Sequence, residues 1–294
     1  MASIQNKIDF AVIFTVDAAN PNGDPLNGNR PRTTINGFGE VSDVCIKRKI
    51  RNRLQDIGEK IFVQSQDRAD DGAKSLRERA TPLLDKFKGE KDNFATAACK
   101  EWFDVRAFGQ LFALSEKGKG KGKGKKKEEE SNEEGSDAVS IGIRGPVSIR
   151  PAFSVSPINI TSVQITKSVN SETEERKGSD TMGMKYRIDH GVYVLFGSIS
   201  PQLAKKTGFS DSDAEILKKT LCTLFENDSS SARPDGSMDI VQVYWWNHNC
   251  PSGQYSSAKV HSSLQVVSKI DNPRCVEDYN IILTDLEKLT PEIY

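Results

Sequence analysis

The chain has 294 residues, 36% of them hydrophobic and 28% charged, with 41 basic side chains balanced by 41 acidic ones. No run approaches the roughly 20 apolar residues that a membrane span needs, and five scattered cysteines without a CxxC pair argue against both a disulfide framework and a zinc ribbon. The start MASIQNKIDF lacks the apolar stretch of a signal peptide, so a cytosolic protein is expected.

Ile8, Phe10, Val12, Phe14 and Val16 alternate with Asp9, Ala11, Ile13, Thr15 and Asp17, the period-two pattern of a strand. A loop of turn formers follows, NPNGDPLNGNRPR, in which Asn20, Asn22, Gly23, Gly28 and Asn29 lead to Arg30 and Arg32. Such a loop can turn several backbone N–H groups toward an anion. Its Gly23 to Gly28 spacing imitates a phosphate-binding P-loop, but Asn29 and Arg30 stand where that motif needs Lys and then Ser or Thr, which excludes the NTPase reading.

The next segment, SDVCIKRKIRNR, predicts a helix with Ser42 or Asp43 at its first turn and Gly58 just past its end. Ile46, Ile50, Leu54 and Ile57 fall on one stripe, while Lys47, Arg51, Gln55 and Arg48 gather on the neighbouring face. With net charge zero over the whole chain, only this local clustering of cations points to a polyanion. A solvated charged face is the plain alternative for any such helix.

Short helices or an irregular insertion are expected over 66–89, and a core-contacting helix over 94–114, broken near Gly109. Residues 117–134 hold seven lysines interleaved with glycines and then an acidic run, a composition that cannot bury apolar surface. Strand patterns resume over 139–149 and 153–167, and again at VYVLFGS, 192–198. Between the last two lies a polar segment with Met182 and Met184 flanking Gly183, which reads as a projecting hairpin whose exposed thioethers could lie against flat surfaces. Ser210 and Asp213 have capping-box spacing at the start of a helix to Phe225, and IVQVYWW, 240–246, is a further strand. The order strand, helix, strand, strand, helix, strand is that of a split βαβ, an α+β fold of ferredoxin-like or RNA-recognition-motif type with large insertions.

Catalytic signals are weak. Three histidines, His190, His248 and His261, fit no metal-binding pattern, and there is no GxSxG or dinucleotide-binding motif. Sequence-tolerant binding of a single strand needs only a basic track and some apolar or aromatic surface.

Taken in order, NPNGDP, NRPR, SDVCIKRKIRNR, DVRAFGQ, IRGPVSI, VQITKS, TMGMKY, VYVLFG, LAKKTGFSDSDAEIL and the DSSSARP loop resemble the backbone subunit of type I-C CRISPR Cascade, a member of the RAMP superfamily. The resemblance runs over most of the chain. It implies a palm of RNA-recognition-motif type in a single domain, a finger-like insertion over 59–138 and a β-hairpin thumb over 164–190. It implies a non-catalytic protein that polymerises head to tail along a guide RNA, presents it to a target DNA strand, and assembles with other Cascade subunits. Carried onto this sequence, it places Lys47, Arg48 and Arg51 toward guide phosphates with Asn22, Arg30 and Arg32 beside them. It also assigns Lys167, Met182 and Lys185 to the thumb, with Met182 against a kinked base. No cofactor, metal or membrane contact is implied. The rival within the superfamily is a metal-independent endoribonuclease acting on precursor RNA, with His190, His248 or His261 as acid or base; no histidine follows a glycine-rich loop near the basic helix, which weighs against it.

Overall fold

The computed structural model describes residues 2–114, 139–166 and 182–294. The lysine-glycine block and Lys167 lie outside the described residues. The chain begins with β1 (Ile8–Ala19), the two-residue strands β2 (Gly23–Asp24) and β3 (Arg30–Pro31), then β4 (Phe38–Val41) and the basic helix α1 (Asp43–Asp56). An insertion follows with α2 (Leu76–Lys86), α3 (Lys91–Glu101), α4 (Phe103–Phe108) and the paired strands β5 (Gly109–Leu114) and β6 (Val139–Arg144). The chain returns through β7 (Val147–Ile149), β8 (Ala152–Pro157), β9 (Ile160–Thr166) and the long β10 (Met182–Ile199). It continues with α5 (Pro201–Thr207), α6 (Asp211–Cys222), β11 (Met238–Asn247), α7 (Ser257–Ser263), β12 (Leu264–Ser268), β13 (Tyr279–Leu283) and the short β14 (Glu292–Ile293).

The central sheet runs β14-β11-β1-β10-β8-β4, with β7 and β9 also on β10, and its pairings are antiparallel. Its middle strands, numbered by chain order among β1, β8, β10 and β11, lie as four, one, three, two. The expected α+β architecture is therefore present, with α1 and α6 as its two helices. They pack Ile46, Ile50, Leu54, Leu217 and Leu221 on Phe10, Val12, Phe14 and Val16. Each such side chain contributes roughly 1.5–3 kcal/mol on burial.

The other face of the sheet is covered as well. Ala11, Ile13, Val192, Tyr244 and Trp246 lie under Val260, Leu264 and Tyr279 of α7, β12 and β13. Nine consecutive residues of β1, Ile8 to Val16, are consequently buried, which is why the alternate positions Ala11 and Ile13 are apolar too. The insertion has its own core, where Phe62, Phe94, Trp102, Phe112 and Ile141 meet.

Three local expectations change. The helix expected over 94–114 is two, α3 and α4, parted at the extended Trp102, and the break expected near Gly109 is its end, because Gly109 takes φ 80, ψ 171 and a Cβ there would lie 2.3 Å from the Ile143 carbonyl oxygen. The chain beyond it extends and pairs with β6 instead. The strand at 192–198 is the inner half of β10, whose outer half, Met182 to Ile188, pairs with β9 as a two-stranded ribbon. Ile57, placed on the apolar stripe of α1, is 49% exposed, since the helix ends one residue before it.

Candidate nucleic-acid interface

Ser42 caps α1 by accepting the Cys45 N–H, and is itself fixed because its N–H and hydroxyl both donate to Asn22 Oδ1 at 2.9 Å. Asn22, expected as a contact residue, thus holds the loop on the helix start. Beyond the cap the cations of α1 divide between two flanks of the apolar stripe. On one flank Lys47 pairs with Asp43 within its own helix (3.1 Å), and Arg51 turns inward to Asp104 (Nε–Oδ2 2.9 Å) with its guanidinium over the Phe108 ring. The Arg51 side chain is only 13% exposed.

On the other flank Cys45, the adjacent Arg48 and Lys49, and Asn52, on successive helical turns, form one wall of a cleft of about 250 Å³. Asp67, Arg68 and the 227–230 loop with Arg233 close it. Four cations and two carboxylates line this space. Lys49 is buried against Asp228, and burial pushes its ammonium below the usual lysine range even with that carboxylate beside it. Arg233 donates to the same Asp228 oxygen at 3.1 Å, and Arg68 pairs with Asp56 and donates to the Asn227 carbonyl. Arg48 is the most open of the four, 45% exposed and 3.7 Å from an exposed Asp67. A strand phosphate entering here can displace that weak pair at little cost, since exposed pairs contribute about 0–1 kcal/mol.

The cleft connects to the glycine-rich loop through Asn20. Its backbone N–H donates to the Ala232 carbonyl (2.9 Å), and its side-chain amide donates to the Asn29 carbonyl (2.7 Å). Gly28 and Asn29 both have left-handed φ, 57° and 60°, the conformation that a glycine-asparagine turn supplies. The turn delivers Arg30 onto the ring of Tyr186, its guanidinium carbon 4.7 Å from the centroid. Arg32 lies 3.5 Å from Asp24 and is partly exposed.

Tyr186 belongs to the ribbon, where Met182, Met184 and Tyr186 alternate onto one face with Gln164 and Ser162 across from the latter two. Met182 is 59% exposed, with its sulfur accepting from Gln164 Nε2 at 2.7 Å. Lys185 is exposed on the opposite face, beside Val163. Of the residues singled out from sequence, Arg48 lines the cleft, Arg30 and Met182 share the band formed by loop and ribbon, Arg32 is at the loop's exit, and Lys47, Arg51 and Lys185 point elsewhere. Arg68, Arg233 and Tyr186 were not singled out, and Asn20 was named only as a turn former. Arg233 stands in the DSSSARP loop and could have been; Arg68 lies in a segment without pattern.

The histidines are engaged inside the protein. His248 contacts Asp9 Oδ2 through Nε2 (2.9 Å) and accepts the Gln254 N–H on Nδ1, and His261 Nε2 lies 3.1 Å from the Gly197 carbonyl oxygen. His190 contacts Asp17 at 2.5 Å. No three His, Cys, Asp or Glu side chains converge as a metal site among the described residues, and no helix there is long and apolar enough to cross a membrane.

A family profile described as CRISPR-associated protein Cas7 matches residues 6–284. The CRISPR-associated protein Cas7 of Haloferax volcanii is 26% identical over 226 residues, covering 74% of this chain but only 63% of that protein. Two solved structures are similar at 15% identity over 82% of this chain. One, a CRISPR RNA-guided surveillance complex in a pre-nicking state, has a TM-score of 0.45 with 78% of its chain covered. The other, a CRISPR RNA-guided surveillance complex, has a TM-score of 0.38 with 68% covered.

Proposed function

Because the chain belongs to the CRISPR-associated protein Cas7 family, we propose that it is a non-catalytic, cytoplasmic guide-RNA-binding backbone subunit of a type I-C Cascade. Copies associate head to tail along the guide, which they present for pairing with a target DNA strand, together with the other subunits of the complex. The sheet with α1 and α6 serves as a palm of RNA-recognition-motif type, residues 59–138 as fingers, and residues 164–190 as the thumb.

The observation that carries this reading is the band from the cationic cleft beside α1, through Asn20 and Arg30, to the exposed methionines of the ribbon. Cations along a groove followed by apolar groups that can lie on bases are what a single strand of arbitrary sequence requires. Arg48, Arg68 and Arg233 act on the guide backbone, Arg30 and Arg32 at the loop, and Met182 against a base turned out of the paired segments.

Light scattering on the purified protein tests it, with and without single-stranded RNA of several tens of nucleotides at low and moderate salt. Mass should grow in steps that scale with RNA length and diminish as salt rises. A fixed one-to-one complex, or no binding, sinks the proposal. The endoribonuclease alternative is tested on the same preparation with a repeat hairpin, where cleavage abolished by one His→Ala change would establish it.

A further inference from the structure

Among the loop and α1 cations, Arg30 is distinctive. Arg32, Lys47, Arg48, Lys49, Arg51 and Arg53 each have a carboxylate partner, whereas Arg30 has none among the described residues and rests on an aromatic face. Its charge is therefore available to an incoming anion, while its position is fixed by a flat, uncharged surface.

The Tyr186 ring also lies beneath the turn that delivers Arg30: a Cβ at Gly28 would lie 3.9 Å from Tyr186 Cε2. The strand carrying Arg30, β3, runs beside β10. Tyr186 itself sits two residues outside Ile188, where β10 leaves the sheet for the ribbon, and on the ribbon face that carries Met184 and Met182. One ring thus supports the loop from below and stands at the base of the ribbon.

We propose that Tyr186 is a positioning residue for RNA binding, holding Arg30 where it meets a phosphate and fixing the loop against the ribbon. This rests on the function proposed above. Arg30 makes the contact; Tyr186 keeps the guanidinium in the binding-competent place before RNA arrives. Loss of such preorganisation multiplies affinity by the fraction of protein still competent, while the number of ions released on binding is unchanged.

That difference gives the test, a fluorescence titration of labelled oligouridine over a range of salt with wild type, Tyr186→Ala, Tyr186→Phe and Arg30→Ala. Tyr186→Ala should bind about three- to tenfold more weakly, in line with a partly exposed cation–π contact, with the wild-type slope of log affinity against log salt. Arg30→Ala should lose affinity and flatten that slope by about 0.7 per bound protomer. Tyr186→Phe, which retains the ring, should restore wild-type binding. Tyr186→Ala equal to wild type, Tyr186→Phe as weak as Tyr186→Ala, or a flattened slope in Tyr186→Ala each overturns the inference. Failure of the wild type to bind at all is the separate result that overturns the RNA-binding reading beneath it.

Discussion

Replacing Arg51 with alanine distinguishes the fold contact it makes in the structure from the RNA contact that the family resemblance implies for it. Asp104 is 1% exposed and accepts from Arg51 Nε at 2.9 Å, from the Phe62 N–H at 2.7 Å and from the Val63 N–H at 3.1 Å. Removing one partner of a buried pair costs about 3–5 kcal/mol because the remaining charge is uncompensated. The two backbone donors stay with Asp104, so about 2–3 kcal/mol is expected here. For a chain of this size that corresponds to a melting temperature lower by about 5–10 °C. Lys47→Ala, which removes only a helix-surface pair with Asp43, should lose less than about 0.5 kcal/mol. Thermal denaturation followed by circular dichroism measures both. Arg51→Met combined with Asp104→Leu should not recover the loss, since it removes the stranded charge but leaves the Phe62 and Val63 N–H groups without their acceptor. Arg51→Ala melting within about one degree of wild type would refute the argument, and weakened RNA binding at unchanged stability would return Arg51 to the interface.

In the cleft, Arg48→Ala and Arg233→Ala should each flatten the salt dependence of RNA affinity by about 0.7 on a log–log plot; an unaltered slope in both would remove the cleft from the RNA path. Burial holds the His261 imidazole below its usual range, despite Asp9 and the Gly197 carbonyl. The unfolded chain then binds the extra proton first, so melting temperature should fall as pH drops from about 7 toward 5, and His261→Gln should flatten that limb. An identical limb in the variant would rule His261 out as its source. Burial alone would raise Asp9, but hydrogen bonds from His248, Ser257 and Lys7 outweigh it and the carboxyl lies below its usual range. Its contribution is present above about pH 4 and lost as pH falls through the folded-state value, giving a second, acid limb in the same titration that Asp9→Asn should abolish. Gly197→Ala would bring a Cβ to 2.2 Å from Phe10 Cζ and 2.7 Å from the Ser148 carbonyl oxygen. Overpacking of that kind costs about 1–3 kcal/mol, so an unchanged urea midpoint would contradict this packing.

What could be read from sequence was local. The alternation of β1, the capping box of Ser210 and Asp213, and the apolar stripe Ile46, Ile50 and Leu54 lie within a few residues, and all are present. The side of α1 that faces solvent was not legible, because the residues that decide it are distant in the chain: Asp104 draws Arg51 inward from 53 positions away, and Asp228 does the same to Lys49 from 179. For the same reason Arg68 and Arg233 join Arg48 only in the folded protein. Likewise β10 looked like two segments because its polar half, Met182 to Arg187, carries no core pattern; pairing with β9 keeps it extended.

The covering of the sheet's second face bears directly on how a guide could be bound. An RNA-recognition motif stacks bases on aromatic side chains of its open sheet. Here the aromatic residues of β11 on that face, Tyr244 and Trp246, are 3% and 1% exposed beneath α7, β12 and β13. Under the proposed function the strand must therefore pass along the helix side and the loops, where Arg30, Arg48, Arg68 and Arg233 stand. Contacts to phosphate position a strand without reading its sequence. On the proposed function, a guide whose bases vary from one complex to the next, and must remain free to pair, calls for this distribution: cations on the backbone, few groups on the bases, and a ribbon whose exposed methionines interrupt the strand without selecting what they displace.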